Sequence, residues 1–278
     1  MKIGHFEVFD ATALHDWLAC PELFRQRHVL GLRAERPEEA ADAGSAFHKG
    51  VEAWYATHDV ESAVAALRAA WGPTPLVEMG KRTSGHYIAL LRAYCEQPQN
   101  FKVVRNESFL QADLAGLPYK GRVDRIIQLE DGSRYVMDLK TTSRYLNEAY
   151  FAAYALDFQL IGYTLLARAS GEEVSGAFVD AVHIDTRYQK VKPEHFRKHG
   201  PLTFPKWKEQ AFLRTLAEAY ESVEIYADRL GVAETWPQNP RSCWRYNQAC
   251  PFWARCTSPP EVREALPGYI EEPWRPEP

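Results

Sequence analysis

The stretch GRVDRIIQLEDGSRYVMDLKTT, residues 121–142, decides how the rest of the chain is read. Its flanks are short runs rich in β-branched and aromatic residues, and Asp131-Gly132 between them is a hairpin signal. The pattern predicts two antiparallel strands. On the second, Asp138 and Lys140 are two apart and leave the same face, while Met137 and Leu139 supply an apolar opposite face. Val136 shares the acid's face, so that face is expected to be partly buried too. Burying an acid and a lysine together costs desolvation energy unless a metal or ligand compensates. Asp124, on the partner strand, adds a second carboxylate. Two carboxylates with a lysine beside them suit a hard divalent cation, which would polarise a phosphoryl oxygen and lower the pKa of water, with Lys140 placed to orient or activate that water. An isolated D-x-K is more often a surface salt bridge, so its neighbours must carry the argument.

Outward from this hairpin, FKVVRNESFLQADL (101–114) reads as a preceding strand and GAFVDAVHIDT (176–186) as a later one. LNEAYFAAYALDFQLIGYTLLARA (146–169) reads as one long helix, as does the segment 205–230, which has Pro205 in its first turn. The first hundred residues carry apolar positions at helical spacing. The order predicts an α/β fold with a helical N-terminal layer and a small C-terminal appendage. It is read as a single domain over 1–278, with 1–100 mainly helical, 101–190 the α/β core, and 191–278 a helix plus a cysteine-rich appendage.

Composition agrees: 46% hydrophobic and 25% charged residues are globular usage, and 278 residues can bury a core without staples. A net charge of −4 excludes a protein that is basic all over but leaves room for a local basic channel. No apolar run approaches the roughly 18 residues of a membrane span, and the N-terminus has no signal-peptide core, so a cytoplasmic protein with no membrane partner is expected.

Two further helical features flank the hairpin. His48 lies in DAGSAFHKGVEAW behind small residues that permit close packing, and Gln159 and Tyr163 are four apart on one helix face. Taken singly, such residues are more often ordinary packing contacts. The set GSAFH, GRVD, DLK and QLIGY, in this order and at these separations, resembles the RecB-type branch of the PD-(D/E)XK nuclease superfamily, from about Phe9 to Cys256. The resemblance implies a restriction-endonuclease-like core and a metal-dependent deoxyribonuclease. His48, Asp124, Asp138 and the carbonyl of Leu139 would hold Mg²⁺ or Mn²⁺, and Lys140 would be the catalytic lysine. Gln159 and Tyr163 would line the site, and Glu107 is a weaker candidate whose alternative is an exposed strand carboxylate. The rival function is a non-catalytic DNA-end-binding or complex-assembly module on the same fold.

Cys243, Cys250 and Cys256 follow a C-x₆-C-x₅-C spacing, and Cys20 could complete a four-thiolate site if the termini meet. Four thiolates suit a structural zinc or a [4Fe–4S] cluster. Zinc usually comes with tighter cysteine pairs. The same nuclease branch includes iron–sulfur exonucleases, among them CRISPR-adaptation enzymes, and the resemblance to these implies the cluster; the x₆ gap is wider than theirs. Cys95 reads as a buried structural thiol.

The segment 187–208 has seven Lys or Arg residues against one acid, with aromatics interleaved. Arg187, Lys190, Lys192, Arg197, Lys198 and Trp207 are therefore candidate DNA contacts, the alternative being a solvated loop. Met79-Gly80-Lys81-Arg82 lacks the spacing and the hydroxyl residue of a phosphate loop. The chain is expected to lack an ATP motor and to act alone or with a helicase or recombination partner.

Overall fold

The computed structural model describes residues 2–35, 39–71, 83–184, 190–245 and 248–274. The rejected phosphate-loop run 79–82 lies outside the described residues, as does Arg187. In chain order the elements used below are α1 (Ala11–Ala19), α2 (Pro21–Phe24), β1 (Leu32–Ala34), α3 (Glu39–Thr57), α4 (Val60–Trp71), α5 (Ser84–Cys95), β2 (Lys102–Leu114) and β3 (Leu117–Gln128). There follow β4 (Arg134–Thr142), α6 (Glu148–Ala152), α7 (Phe158–Ala169), β5 (Ala177–His183), β6 (Phe196–Leu202), α8 (Lys206–Leu230), β7 (Trp244–Arg245), β8 (Gln248–Ala249), α9 (Trp253–Thr257), α10 (Pro260–Arg263) and β9 (Tyr269–Glu271). The chain divides into two compact units, Pro37–Leu110 with Arg122–Glu209, and Met1–Arg36 with Gln111–Gly121 and Gln210–Pro278.

The first unit is built on a mixed five-stranded sheet in the order β2-β3-β4-β5-β6, in which β4 and β5 are parallel and the pairs β3–β4 and β5–β6 antiparallel. This is the α/β architecture expected of the sequence. The β3–β4 connection turns through Gly132 at φ 85°, with its amide on Leu129 O and Asp131 Oδ1 accepting from Ser133 N. β4 is buried along its middle, from Tyr135 to Leu139, as a central strand with a parallel neighbour should be. Helices α3, α4 and α5 cover the Leu139 face around Phe47, Val51, Leu67, Leu90 and Leu91. Gly50 explains the closeness of that packing, since a Cβ there would sit 2.6 Å from the Leu91 side chain.

Two segments differ from their sequence reading. The stretch 146–169 is not one helix: α6 runs into a 3₁₀ turn, and Asp157 then caps a new helix, α7, by accepting from Leu160 N at 3.0 Å. The polar segment after β5 contains an edge strand, β6, because β5 offers it an unpaired ladder. Local polarity hides this pairing.

In the second unit, Asp10 caps α1 through Ala13 N, and Pro21 opens α2 as expected, running into a π-helical turn over Arg25–Val29. Phe6, Phe9, Phe24, Trp17, Tyr220 and Trp236 form its aromatic core. β1 pairs with β9, so residues of the two ends of the sequence share one small sheet.

Candidate functional site

The antiparallel register between β3 and β4 runs from Gln128↔Arg134 to Arg125↔Met137, one residue short of the two acids. Beyond it the amide of Leu139 donates instead to Asp124 Oδ2 at 2.7 Å. This places the Asp124 carboxylate between the two strands, where β4 would otherwise meet a backbone carbonyl. On β4, the Lys140 ammonium lies 2.7 Å from Asp138 Oδ2 and donates to Gln159 Oε1 at 2.6 Å. Gln159 Nε2 in turn donates to Tyr163 OH at 3.2 Å. The Asp157 cap sets the start of α7, and the four-residue spacing carries Gln159 and Tyr163 on one face.

From the helical layer, α3 brings His48 Nδ1 to 3.6 Å from Asp124 Oδ2. The small residues ahead of His48 make this approach feasible: a Cβ on Gly44 would lie 3.0 Å from Thr141 Oγ1 of β4. His48, Asp124, Leu139 and Lys140 line one open pocket of ≈ 510 Å³, together with Ser45, Lys49, Glu52, Glu107, Arg122 and Thr141. Asp138 is 2% exposed and reaches the pocket through its ion pair with Lys140.

The electrostatics of the site are those of charge without water. Burial, offset by Lys140 and reinforced by Asp124, raises the Asp138 carboxyl to about 6. Burial also raises Asp124. Burial lowers His48 to about 4 against the pull of Asp138, so its ring is neutral and one of its nitrogens offers a lone pair to a metal at neutral pH. Burial works against the charge on Lys140, but Asp138 more than offsets it and keeps the ammonium protonated. Glu107 stands at φ 46°, and burial followed by repulsion from Asp124 raises its carboxyl to about 7 despite Arg122.

A neutral imidazole, two carboxylates and a backbone carbonyl are nitrogen and hard oxygen donors that fit Mg²⁺ or Mn²⁺. Burial raises both carboxylates despite Lys140 beside Asp138 and Arg125 near Asp124, and a bound cation would offset that cost further. Among the described residues no three His, Cys, Asp or Glu side chains already stand at metal-ligating spacing.

Four of the five cysteines lie in the other unit. Cys20, Cys243, Cys250 and Cys256 line one small cavity of ≈ 20 Å³ with Leu23, Phe252 and Trp253. The small β7–β8 hairpin links two of them, Cys250 N donating to Cys243 O at 2.8 Å. Asn239 and Ser242 tie this segment to Ala19 O at 2.9 and 2.7 Å, next to Cys20. Polar hydrogens already point at two sulfurs, from Asn239 N to Cys20 Sγ at 3.3 Å and from Gln26 Nε2 to Cys256 Sγ at 3.4 Å. Burial raises Cys256 to about 12, with Glu22, Cys250, Cys20 and Cys243 adding to the effect. The four sulfurs line one space and are the soft donors that a thiolate-bound metal centre takes, but among the described residues they do not stand at metal-ligating spacing. Cys95 is buried and its thiol raised by burial, in keeping with a structural role.

Of the described candidate DNA contacts, Lys190 and Lys192 precede β6, Arg197 and Lys198 lie on it and Trp207 is in the first turn of α8, none of them in the pocket lining. Lys190 and Lys192 are exposed, Lys192 with Glu194 at 3.6 Å. Arg197 is engaged by Glu148 and Leu146 O and stacks over Phe151. Lys198 lies over the Tyr94 ring at 5.7 Å, and Trp207 is 60% exposed beside Lys208. Sequence reasoning did not single out Lys49, Glu52 or Arg122. Arg122 shares a strand face with Asp124 two residues on, a period-two signal that could have found it.

A family model described as the PD-(D/E)XK nuclease superfamily matches residues 9–257. No curated protein sequence matches the chain. Among solved structures the chain is similar to SSO0001, at 16% identity and a TM-score of 0.32, over 76% of this chain and 82% of that one.

Proposed function

The chain belongs to the PD-(D/E)XK nuclease superfamily, and on that premise we propose that it is a divalent-metal-dependent deoxyribonuclease of the RecB type, acting as an exonuclease in recombination, repair, or phage or CRISPR-type DNA processing. We read 1–278 as a single nuclease domain. The observation that carries the reading is the convergence of His48, Asp124, Leu139 and Lys140 on one open pocket with Asp138 paired to the lysine behind it.

His48, Asp124, Asp138 and the Leu139 carbonyl would hold Mg²⁺ or Mn²⁺. In a strand the N–H and C=O of one residue point to the same edge. The Leu139 amide faces Asp124, so its carbonyl faces that side too. When bound, the cation supplies polarisation of a phosphoryl oxygen and a lowered pKa for water at the site. Lys140, held protonated by Asp138, orients the attacking water or donates to the phosphoryl oxygen. Gln159 fixes the ammonium by accepting from it, and Tyr163 fixes Gln159. Lys190, Lys192, Arg197, Lys198 and Trp207, with Arg187, would follow the strand beyond the pocket.

The four cysteines are read as ligands of a [4Fe–4S] cluster that staples Cys20 to the C-terminal segment, 223 positions away at Cys243. The shared cavity supports this, and hydrogen bonds to sulfur are what tune such clusters. A zinc centre in the same cavity would appear as zinc without visible absorption.

The test is purified protein with Mg²⁺ or Mn²⁺ on end-labelled single- and double-stranded DNA. Cleavage lost in Asp138→Asn and Lys140→Met supports the reading. Tight DNA binding in EDTA with no product in either metal would sink it in favour of the non-catalytic end-binding module.

A further inference from the structure

The outer wall of the pocket carries charges that metal binding and hydrolysis leave unused. Arg122 precedes Asp124 by two residues on β3, and Lys49 follows His48 on α3. Arg122 Nε donates to Glu107 Oε2, and its Nη2 lies 3.4 Å from Glu52 Oε2. The same Glu52 oxygen accepts from Lys49 Nζ at 2.7 Å. One carboxylate oxygen is thus shared by two cations, and all four side chains line the open pocket. Lys49 is 42% exposed, Glu52 29% and Arg122 26%, so these pairs are held within reach of an incoming ligand. Glu107 holds its place at φ 46° within a strand, a conformation that persists where the surroundings over-determine it and that clusters at ligand clamps.

We propose that Arg122 and Lys49 form a phosphate clamp for the nucleic-acid strand, gripping a backbone phosphate outside the cleaved bond, with Glu52 and Glu107 holding both cations in place until that phosphate displaces them. The proposal rests on the nuclease reading and deepens it by naming the residues that set the strand's position. A guanidinium fork that accommodates a carboxylate also matches a phosphate, so the exchange leaves its donors satisfied. Each clamp residue lies within two positions of a residue proposed to hold the metal. A phosphate gripped there is registered against the reacting one. Ser45 and Thr141 put hydroxyls on the same wall.

The test uses the full chain carrying Asp138→Asn, a fluorescein-labelled single-stranded oligonucleotide, and binding measured from low to high salt. Arg122→Gln is expected to weaken binding about tenfold and to flatten the slope of log K against log salt by about one phosphate contact. Lys49→Gln should do the same to a smaller degree. Arg122→Lys should restore the slope, and Glu52→Gln should tighten binding by releasing Lys49 and loosening the hold on Arg122, which keeps Glu107. In the cleaving parent background, the Arg122→Gln loss should fall on KM rather than kcat. An unchanged slope in both Arg122→Gln and Lys49→Gln, with unchanged melting, overturns the clamp. If Arg122→Gln does not fold, the exposed Lys49 decides. Because binding is read without cleavage, a parent that never cuts DNA refutes the nuclease reading and not the clamp, while a parent that cuts with unchanged slopes refutes the clamp alone.

Discussion

The pocket around Asp124 and the cavity around Cys20 both gather groups that repel one another when charged, yet they are built oppositely. The first is wide, ≈ 510 Å³, and lined by oxygen and nitrogen donors; the second is small, ≈ 20 Å³, and gathers four sulfurs among apolar and amide side chains. Burial raises Asp138 only to about 6, so its carboxylate forms at neutral pH and can exchange partners. Burial raises Cys256 to about 12, so its thiolate forms only with a metal beside it. An open site with readily formed charges suits turnover. A small site with costly ones suits a permanent ligand, whose binding energy becomes folding energy.

The sharpest way to break this comparison is a pair of substitutions. Asp138→Asn should reduce cleavage by about a thousandfold or more while leaving melting unchanged or raised, since a buried repulsion is removed. Cys250→Ala should lower melting by about 10 °C or more and reduce solubility, while the folded fraction keeps its divalent-metal response. A Cys250→Ala protein as stable and as metal-loaded as the parent would make the cysteines ordinary thiols. Chelation separates the sites next: EDTA in the assay should abolish cleavage with little change in melting. Anaerobically purified protein should be brown, with iron and sulfide in equal amounts.

The two units should also differ in the sign of their pH response, read by urea unfolding of the divalent-metal-free protein from pH 2 to 8. Asp138 at about 6 and Glu107 at about 7 sit above their unfolded values of 3.8 and 4.5. The unfolded chain therefore ionises first, and their contribution to stability is lost as pH rises from about 4 to 7. Glu107→Gln should flatten that limb by on the order of 1–3 kcal/mol. In the other unit, burial opposes the charge on Asp16, but His15, His28 and Arg27 outweigh it and hold the carboxyl well below its usual range. Its stabilisation is present above the unfolded value of 3.8 and is lost as pH falls below that toward the lowered folded value, so Asp16→Asn should flatten the limb below pH 4. The smallest expected effect is that of Asp157→Ala, which removes a helix cap worth about 1 kcal/mol, or about 2–4 °C in melting. Its cleavage should fall modestly as Gln159 loosens.

Much of this was legible in the residues. Asp124, Asp138 and Lys140 announce themselves because period two is a local property of any strand, and Gln159 with Tyr163 because period four is local to a helix. The long helix over 146–169 was misread because Asp157, polar but not a breaker, caps a new helix inside an otherwise continuous pattern. β6 was missed because an edge strand owes its ladder to its neighbour and not to its own polar sequence.

The sequence by itself determined which side chains share a face, that small residues precede His48, and that three cysteines cluster near the C-terminus. These follow from nearest-neighbour stereochemistry. Tertiary structure alone decided that the Leu139 amide turns to Asp124, that Gly44 lets α3 close on Thr141, and that Glu107 and Glu52 hold Arg122. It also brought Cys20 into one cavity with residues more than 220 positions on. Such partners meet only when packing outweighs the chain entropy of bringing distant segments together, and no local pattern encodes that balance.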